Sequence, residues 1–507
     1  MRLVSFLVIG LLANPAGAGG PAGKVLLETW DLAYLGDARA GYVRTVAREV
    51  EIEGSKVVQT TIELRLRVKR FGDVVEMAMD TGSLETLDGK VTGVFMRQNP
   101  GKANQLQIDG AVVGNQLRLS LNGKSTLKPA PWKSEVVGLY KQQTLLKDRA
   151  IKPGDRFSFL SFEPIINLVL KTEVHVKGYR EVALKGEKEK RKLLLVETIP
   201  EKVEFKSGPD KVEKIQLPAT LTWYDDNLEP VKTEVEVPPL GPMVIRRATK
   251  ALALAPNPVP QVDLGYNQLV RLKNRILQPH ETTGAVYRIT VRNDDNPAGT
   301  FSRDDRQAVK KAQGNSFELH VQAVRGKAGG VDAKDPGPEF TQSSYFINSD
   351  DAMVRQLARK AVGDEVDPWK KTLKIERWVH DNMRFTSDEA LATADHVARK
   401  LQGDCTEHAM LAAAMCRAVG VPSRTAIGLI YADVKGAPCF AFHMWTEVWI
   451  QGGWIPIDAT LGKGHVGAAH LKITDHSWYD ERTMTPIFPV IRVVGRISIE
   501  VLSAENR

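Results

Sequence analysis

A cysteine, a histidine and an aspartate fall in that order between Gly403 and Asp458, each in a setting that suits a thiol nucleophile. The segments are Gly403-Asp404-Cys405-Thr406-Glu407-His408, then His443-Met444-Trp445-Thr446-Glu447-Val448, then Trp454-Ile455-Pro456-Ile457-Asp458. A thiolate, not a thiol, attacks an acyl carbon. Gly403-Asp404 signals a loop, and Met410, Leu411, Ala414, Met415 and Ala418 then recur at helical spacing until Gly420. Cys405 is therefore predicted in the first turn of a helix, where unpaired N–H groups and the positive dipole end favour an anion. The same N–H groups suit the oxyanion of a tetrahedral intermediate. His443 is the candidate base and Asp458 the group that fixes its tautomer and orientation.

The elements that must position these residues are a helix and two strands. Alternation puts His443, Trp445, Glu447 and Trp449 on one face of a strand, and Trp454, Pro456 and Asp458 on one face of the next. A two-residue turn at Gly452-Gly453 pairs Gln451 with Trp454, so that Asp458 lies opposite Glu447. That is the correct face, but four residues short of His443, or roughly 13 Å along a strand. Contact then requires a bulge or a shifted register near the turn.

Four short motifs in order resemble the transglutaminase-like (papain-like) superfamily. They are the Gly403–His408 segment, Arg417-Ala418-Val419-Gly420-Val421-Pro422-Ser423-Arg424, the His443–Val448 segment and the Trp454–Asp458 segment. Upstream, Trp378-Val379 followed by Met383-Arg384-Phe385 is similar to the family's lead-in. The resemblance covers roughly residues 349–480. It implies Cys405 as nucleophile, His443 as base and Asp458 as orienting partner, with no departure at these positions, no cofactor and no metal.

Other reactive side chains take plainer readings. Cys416 lies about three turns along the Cys405 helix in an apolar run, which marks a core residue. Cys439 has no assigned role, and the pairing of Cys416 with Cys439 is left open, the expectation being free thiols. His408, one turn beyond Cys405, suits a structural hydrogen bond. His380, His396, His465, His470 and His476 show no tight metal spacing. Cys405, His443 and Asp458 are also zinc-ligand types, a reading set below the thiol mechanism. Trp445 and Trp454 are read as core or groove walls, and Glu407 as a complement to the helix dipole.

Arg2, the apolar run Leu3 to Ala13, Asn14-Pro15 and Ala16-Gly17-Ala18 describe a secretory signal peptide cut after Ala18. The run is short for a bilayer, and no later stretch is long and apolar enough to cross one. The expectation is an exported protein, periplasmic or secreted. With 43% hydrophobic and 26% charged residues, the chain has ample material for cores. At 507 residues it is too long for one. The net charge of +8 is uneven, since residues 349–480 hold 15 Lys and Arg against 17 Asp and Glu. No nucleic-acid motif accompanies the basic excess, which is consistent with a solvated surface or an affinity for anionic envelope polymers.

Upstream of residue 349 the chain alternates like half-buried strands. Examples are Ile62, Leu64, Leu66 and Val68, and Leu117, Leu119 and Leu121 after a turn at Gly114-Asn115. Antiparallel sheets follow from such patterning. Pro256, Pro258 and Pro260 mark one break, and the Gly/Pro/Asp-rich stretch Arg325 to Pro338 another. Beyond it, helices capped near Ser349, Asp367 and Thr393 precede the Cys405 helix and its strands, an α+β unit. The expected fold is multidomain, with a mainly antiparallel β region followed by an α+β papain-like or transglutaminase-like domain. The expected divisions are a signal peptide (1–18), a β-rich domain (19–255), a linker with a small β-rich domain (256–340), the catalytic domain (341–487) and a C-terminal strand (488–507). The expected function is an exported cysteine peptidase or amidase that forms an acyl-thioester at an amide or isopeptide bond of a protein or peptide. Its partner is a substrate of that kind, such as a cell-envelope peptide. Transamidation (protein cross-linking) is the alternative within this chemistry. A surface-binding scaffold with a vestigial papain-like domain is the alternative outside it.

Overall fold

The computed structural model describes residues 23–506 apart from 53, 71, 100–105, 122, 126–128, 164–165, 209–210, 238–239, 257–261, 325–334, 387–391 and 480–484. The signal-peptide site at Ala18, Pro258, Pro260 and most of the Arg325–Pro338 stretch lie outside these residues. The chain divides into two compact units, Met1–Val203 with Gln216–Leu264, and Glu204–Ile215 with Gly265–Arg507. Among the described residues, no helix is long and apolar enough to cross a membrane.

The first unit is built on one long antiparallel sheet. Strands Lys24–Leu35, Ala38–Ile52, Ser55–Arg70, Asp73–Thr86, Val91–Asn99, Leu106–Val113 and Gln116–Leu121 follow one another as hairpins. The far edge of the first strand pairs with Gly241–Ala248, and the sheet continues through Pro230–Val237, Thr220–Tyr224, Arg191–Pro200, Leu168–Val182 and Arg156–Glu163. The period-2 pattern behaves as expected at its clearest point, where Leu117, Leu119 and Leu121 are all buried. Val113 pairs with Gln116 across the Gly114-Asn115 turn.

The second unit is α+β. Helices Ala352–Val362, Pro368–Asn382, Ala394–Lys400 and Cys405–Ala418 pack on a sheet ordered Val270–Arg271, Ala437–Ile450, Ser423–Val434, His470–His476, with Gly453–Ile457 also on the Ala437–Ile450 strand. Caps set the helix starts: Asp351 accepts from the N–H groups of Met353 and Val354, and Asp367 from that of Lys370, with Pro368 in the first turn. The first cap is Asp351 rather than Ser349, because only the nearer carboxylate reaches both of those N–H groups.

The divisions at 256–340 and 488–507 do not stand as separate pieces. Strand Ile497–Asn506 pairs along its length with Thr282–Val291, which also pairs with Ser316–Gln322. Tyr287, Ile289 and Phe317 belong to the same buried cluster as Leu411, Met415 and Leu429. Tyr287 packs edge-on against Phe440 at 5.6 Å and donates its hydroxyl to the Ala468 carbonyl. A small sheet with one apolar face must bury that face, and here it does so against the helix-bearing sheet.

Candidate active site

The sequence Gly-Asp-Cys-Thr-Glu builds a helix start in which each residue has a task. Asp404 caps the Cys405–Ala418 helix by accepting from Thr406 N at 2.8 Å, and Glu407 returns the bond by accepting from Asp404 N at 3.0 Å. Glu407 is fully buried and its other oxygen accepts from Ala392 N. It is a structural clamp rather than an exposed complement to the dipole. Burial first, then the charge of Asp404, holds its carboxyl well above the usual range. Gly403 adopts φ +146°, and a Cβ there would lie 2.3 Å from Glu407 Cβ, so the clamp requires glycine. Cys405 is left at the first helical position with its side chain partly exposed, whereas Cys416 and Cys439 are buried, and all three are free thiols. Burial pushes the Cys416 thiol up to about 12 and raises that of Cys439.

His443 lies on the Ala437–Ile450 strand, which is fastened to the Cys405 helix by a bond from Thr446 Oγ1 to the Ala409 carbonyl. The hairpin after it turns on Gln451 and Gly452, both at positive φ, and pairs Ile450 with Gly453 and Thr446 with Ile457. This frame differs by one residue from the expected turn. It places Trp449 opposite Trp454, rings edge-on at 5.3 Å, an aromatic cross-strand pair that the other frame forfeits. Asp458 then falls just past the ladder, level with Trp445 instead of Glu447. That is the same-face neighbour of His443, and no bulge is needed.

His443 Nε2 and Asp458 Oδ2 are 2.8 Å apart, and both residues are buried. Burial opposes charge on the imidazole, but the Asp458 carboxylate and the neighbouring Cys405 sulfur, with hydrogen bonds to both, hold it protonated well above the usual histidine range. Desolvation likewise works against the Asp458 carboxylate, and the charge and hydrogen bond of His443, joined by the hydrogen bond of His470, hold it well below the usual carboxylate range. With Nε2 committed to Asp458, Nδ1 is the ring nitrogen available to the sulfur. The three residues singled out by type and spacing are thus brought together as neighbours.

Sequence reasoning missed two residues at this site. His470, fully buried, places its Nε2 3.1 Å from Asp458 Oδ2. No motif marks it, and only the pairing of strand His470–His476 with Ser423–Val434 brings it here. Glu376 accepts from Asp458 N at 3.1 Å. A signal existed for this one, a glutamate on the helix face carrying the apolar Ile375 and Val379. His408 makes the structural bond expected of it, to the Asp404 carbonyl at 2.7 Å. His443, Asp458 and His470 are also the group whose ligand atoms all lie within 4.8 Å of one another, the one candidate metal cluster among the described residues. Cys405 is not part of it.

Burial pushes the Glu376 carboxyl from the ordinary 4.5 up to about 7, against the pull of the Asp458 and Gly464 N–H groups. A carboxyl raised in this way gives its full contribution to stability below the unfolded value and loses it as pH rises through about 7. At roughly 1.4 kcal/mol per pKa unit, the ionised form costs about 3 kcal/mol above that range. The stability of Glu376→Gln relative to the native chain is therefore expected to improve by up to that amount between pH 5 and pH 8.5. Thermal unfolding at the two pH values checks this, and a pH-independent difference would contradict it.

Residues 355–459 match the family model of the transglutaminase-like superfamily. An uncharacterized protein of Haemophilus influenzae is 26% identical over 150 residues, with 24% of this chain and 39% of that protein covered. The match thus spans well under half of that relative's length. Among solved structures, a candidate cysteine protease from Cytophaga hutchinsonii is 19% identical, with a TM-score of 0.29, 44% of this chain and 86% of that chain covered. A candidate protease from Parabacteroides distasonis is 11% identical, with a TM-score of 0.18, 78% of this chain and 66% of that chain covered. The helix-borne cysteine and its paired strands, residues 355–459, are a core domain of the transglutaminase-like superfamily.

Proposed function

We propose that this chain is an exported cysteine enzyme that forms an acyl-thioester at an amide or isopeptide bond of a protein or peptide, and hydrolyses it. The observation that carries the reading is the His443–Asp458 pair, buried and hydrogen-bonded at 2.8 Å, beside a partly exposed Cys405 at a helix start. An imidazolium next to the sulfur favours the thiolate. The thiolate attacks the carbonyl carbon at the start of the Cys405–Ala418 helix, whose positive dipole end favours the developing oxyanion. The collapsing intermediate expels the amine, which takes the imidazolium proton and leaves the acyl group on Cys405. Neutral His443 then removes a proton from the second nucleophile, water or an amine, and the thiolate departs.

Hydrolysis and cross-linking differ only in that second nucleophile. Water is always present, and nothing in the sequence marks an amine site, so hydrolysis is the reading adopted, with a cell-envelope peptide or protein as substrate class. Product profiling on peptide libraries by mass spectrometry, with and without added primary amine, tests it. Free carboxyl products that disappear in Cys405→Ala are expected. Products that form only when amine is supplied would replace hydrolysis by transamidation, and cleavage that survives in Cys405→Ala would remove the reading altogether.

A further inference from the structure

We propose that His470 is a positioning residue for the Cys405–His443–Asp458 reaction, fixing the Asp458 carboxylate against the His443 ring. This role rests on the cysteine-enzyme reading. The same oxygen, Asp458 Oδ2, faces His443 Nε2 at 2.8 Å and His470 Nε2 at 3.1 Å, while Oδ1 accepts from Thr460 N at 2.9 Å. A carboxylate bound by His443 alone can turn about its terminal torsion, which is soft. Bound at both oxygens by two further donors, it cannot turn without breaking one of them.

The His470 ring is itself fixed. It stands edge-on to Trp445 at 5.4 Å and to His443 at 5.8 Å. The buried guanidinium of Arg306 donates to the neighbouring carbonyls of Gly467 and His470. Burial keeps the ring neutral, pulling it down to about 4 in spite of Asp458. A neutral imidazole with its proton on Nε2 contributes one N–H and no charge, so it orients Asp458 without displacing His443 as the counter-ion. A histidine present only to fill the core would leave the His443–Asp458 pair indifferent to that N–H.

The test is the rate at which iodoacetamide carbamidomethylates Cys405 in the full-length chain, followed by mass spectrometry. His470→Phe keeps the ring and removes the donor, and it is expected to slow labelling about tenfold, the lower end of what loss of an orienting partner costs. His470→Gln, whose amide N–H extends toward the same oxygen, is expected to restore a rate close to that of the native chain. In an Asp458→Asn background His470→Phe is expected to add nothing, because groups that act through one another are not additive. A folded His470→Phe that labels at the native rate would overturn the role. So would a full further loss in the Asp458→Asn background, or a His470→Gln that labels as slowly as the phenylalanine variant. If His470→Phe does not fold, the comparison of His470→Gln with the shorter His470→Asn decides. Failure of the underlying reading looks different: the native chain would then label Cys405 no faster than Cys416, and His443→Ala would leave the rate unchanged.

Discussion

Cys405→Ala is expected to abolish amide-bond cleavage, a loss of about 10⁴–10⁶-fold in kcat, the range seen when a catalytic nucleophile is removed. His443→Ala should fall in the same range, since nucleophile and base act as a unit and their losses do not add. Asp458→Asn should cost about 10³–10⁴-fold, because an amide can present its N–H to His443 Nε2 and reverse the tautomer the reaction needs. None of the three should unfold the chain at neutral pH, as the helix start is held by the Asp404–Glu407 clamp and the hairpin by its Trp449–Trp454 pair. Steady-state kinetics with circular dichroism on each variant checks both halves. A Cys405→Ala protein that is inactive only because it is unfolded would not count in favour of the triad.

Lys472→Met is expected to destabilise the second unit by about 3 kcal/mol, the lower end of the cost of removing one partner from a buried ion pair, because Glu447 keeps Arg424. Lys472 is almost fully buried, and its Nζ lies 3.0 Å and 3.1 Å from the two oxygens of buried Glu447, with Asp304 and Asp475 also in reach. Arg424 meets Glu447 at 2.8 Å and Asp475 at 2.7 Å, its guanidinium 4.0 Å over the Trp454 ring. Desolvation works against the Glu447 carboxylate, but Lys472 and Arg424 outweigh it and hold it down to about 2. A carboxylate lowered in this way contributes its stability above the ordinary 4.5 and loses it as pH falls toward about 2. The variant should therefore also unfold at a higher pH on acidification. Urea melts of Lys472→Met, Glu447→Gln and the double variant separate pair from parts. The double is expected to be destabilised by well under the sum of the two singles, and simple additivity would contradict the buried-pair account.

Local chemistry in this chain was legible wherever one short segment fixed it. The Cys405 helix start follows from Gly403-Asp404 and the helical spacing of Met410, Leu411, Ala414 and Met415, and the face of His443 from strand alternation. The antiparallel β region follows from period-2 runs such as Leu117, Leu119 and Leu121. What was not legible depends on pairing between distant segments. The Gln451-Gly452-Gly453 sequence permits two turn frames, and the choice lies with a Trp449–Trp454 contact that no single strand contains. His470 sits in a strand without motif, and its place beside Asp458 comes from that strand's register with Ser423–Val434. Strand Ile497–Asn506 looks like a detached tail until its partner, Thr282–Val291, more than two hundred residues earlier, is known. Glu447 shares a strand face with His443, and only its pairing with Lys472 and Arg424, distant in sequence, makes it part of a buried ion cluster.

The central claim is a thiolate at Cys405 maintained by protonated His443, and brief iodoacetamide labelling with mass-spectrometric mapping tests it most directly. Burial raises the thiols of Cys416 and Cys439, so in the native chain both should label slowly at any mild pH. Cys405 is expected to label much faster than either, to keep labelling at mildly acidic pH, and to lose this advantage in His443→Ala. Equal labelling of the three cysteines, or a Cys405 rate indifferent to both acid and His443→Ala, would contradict the account.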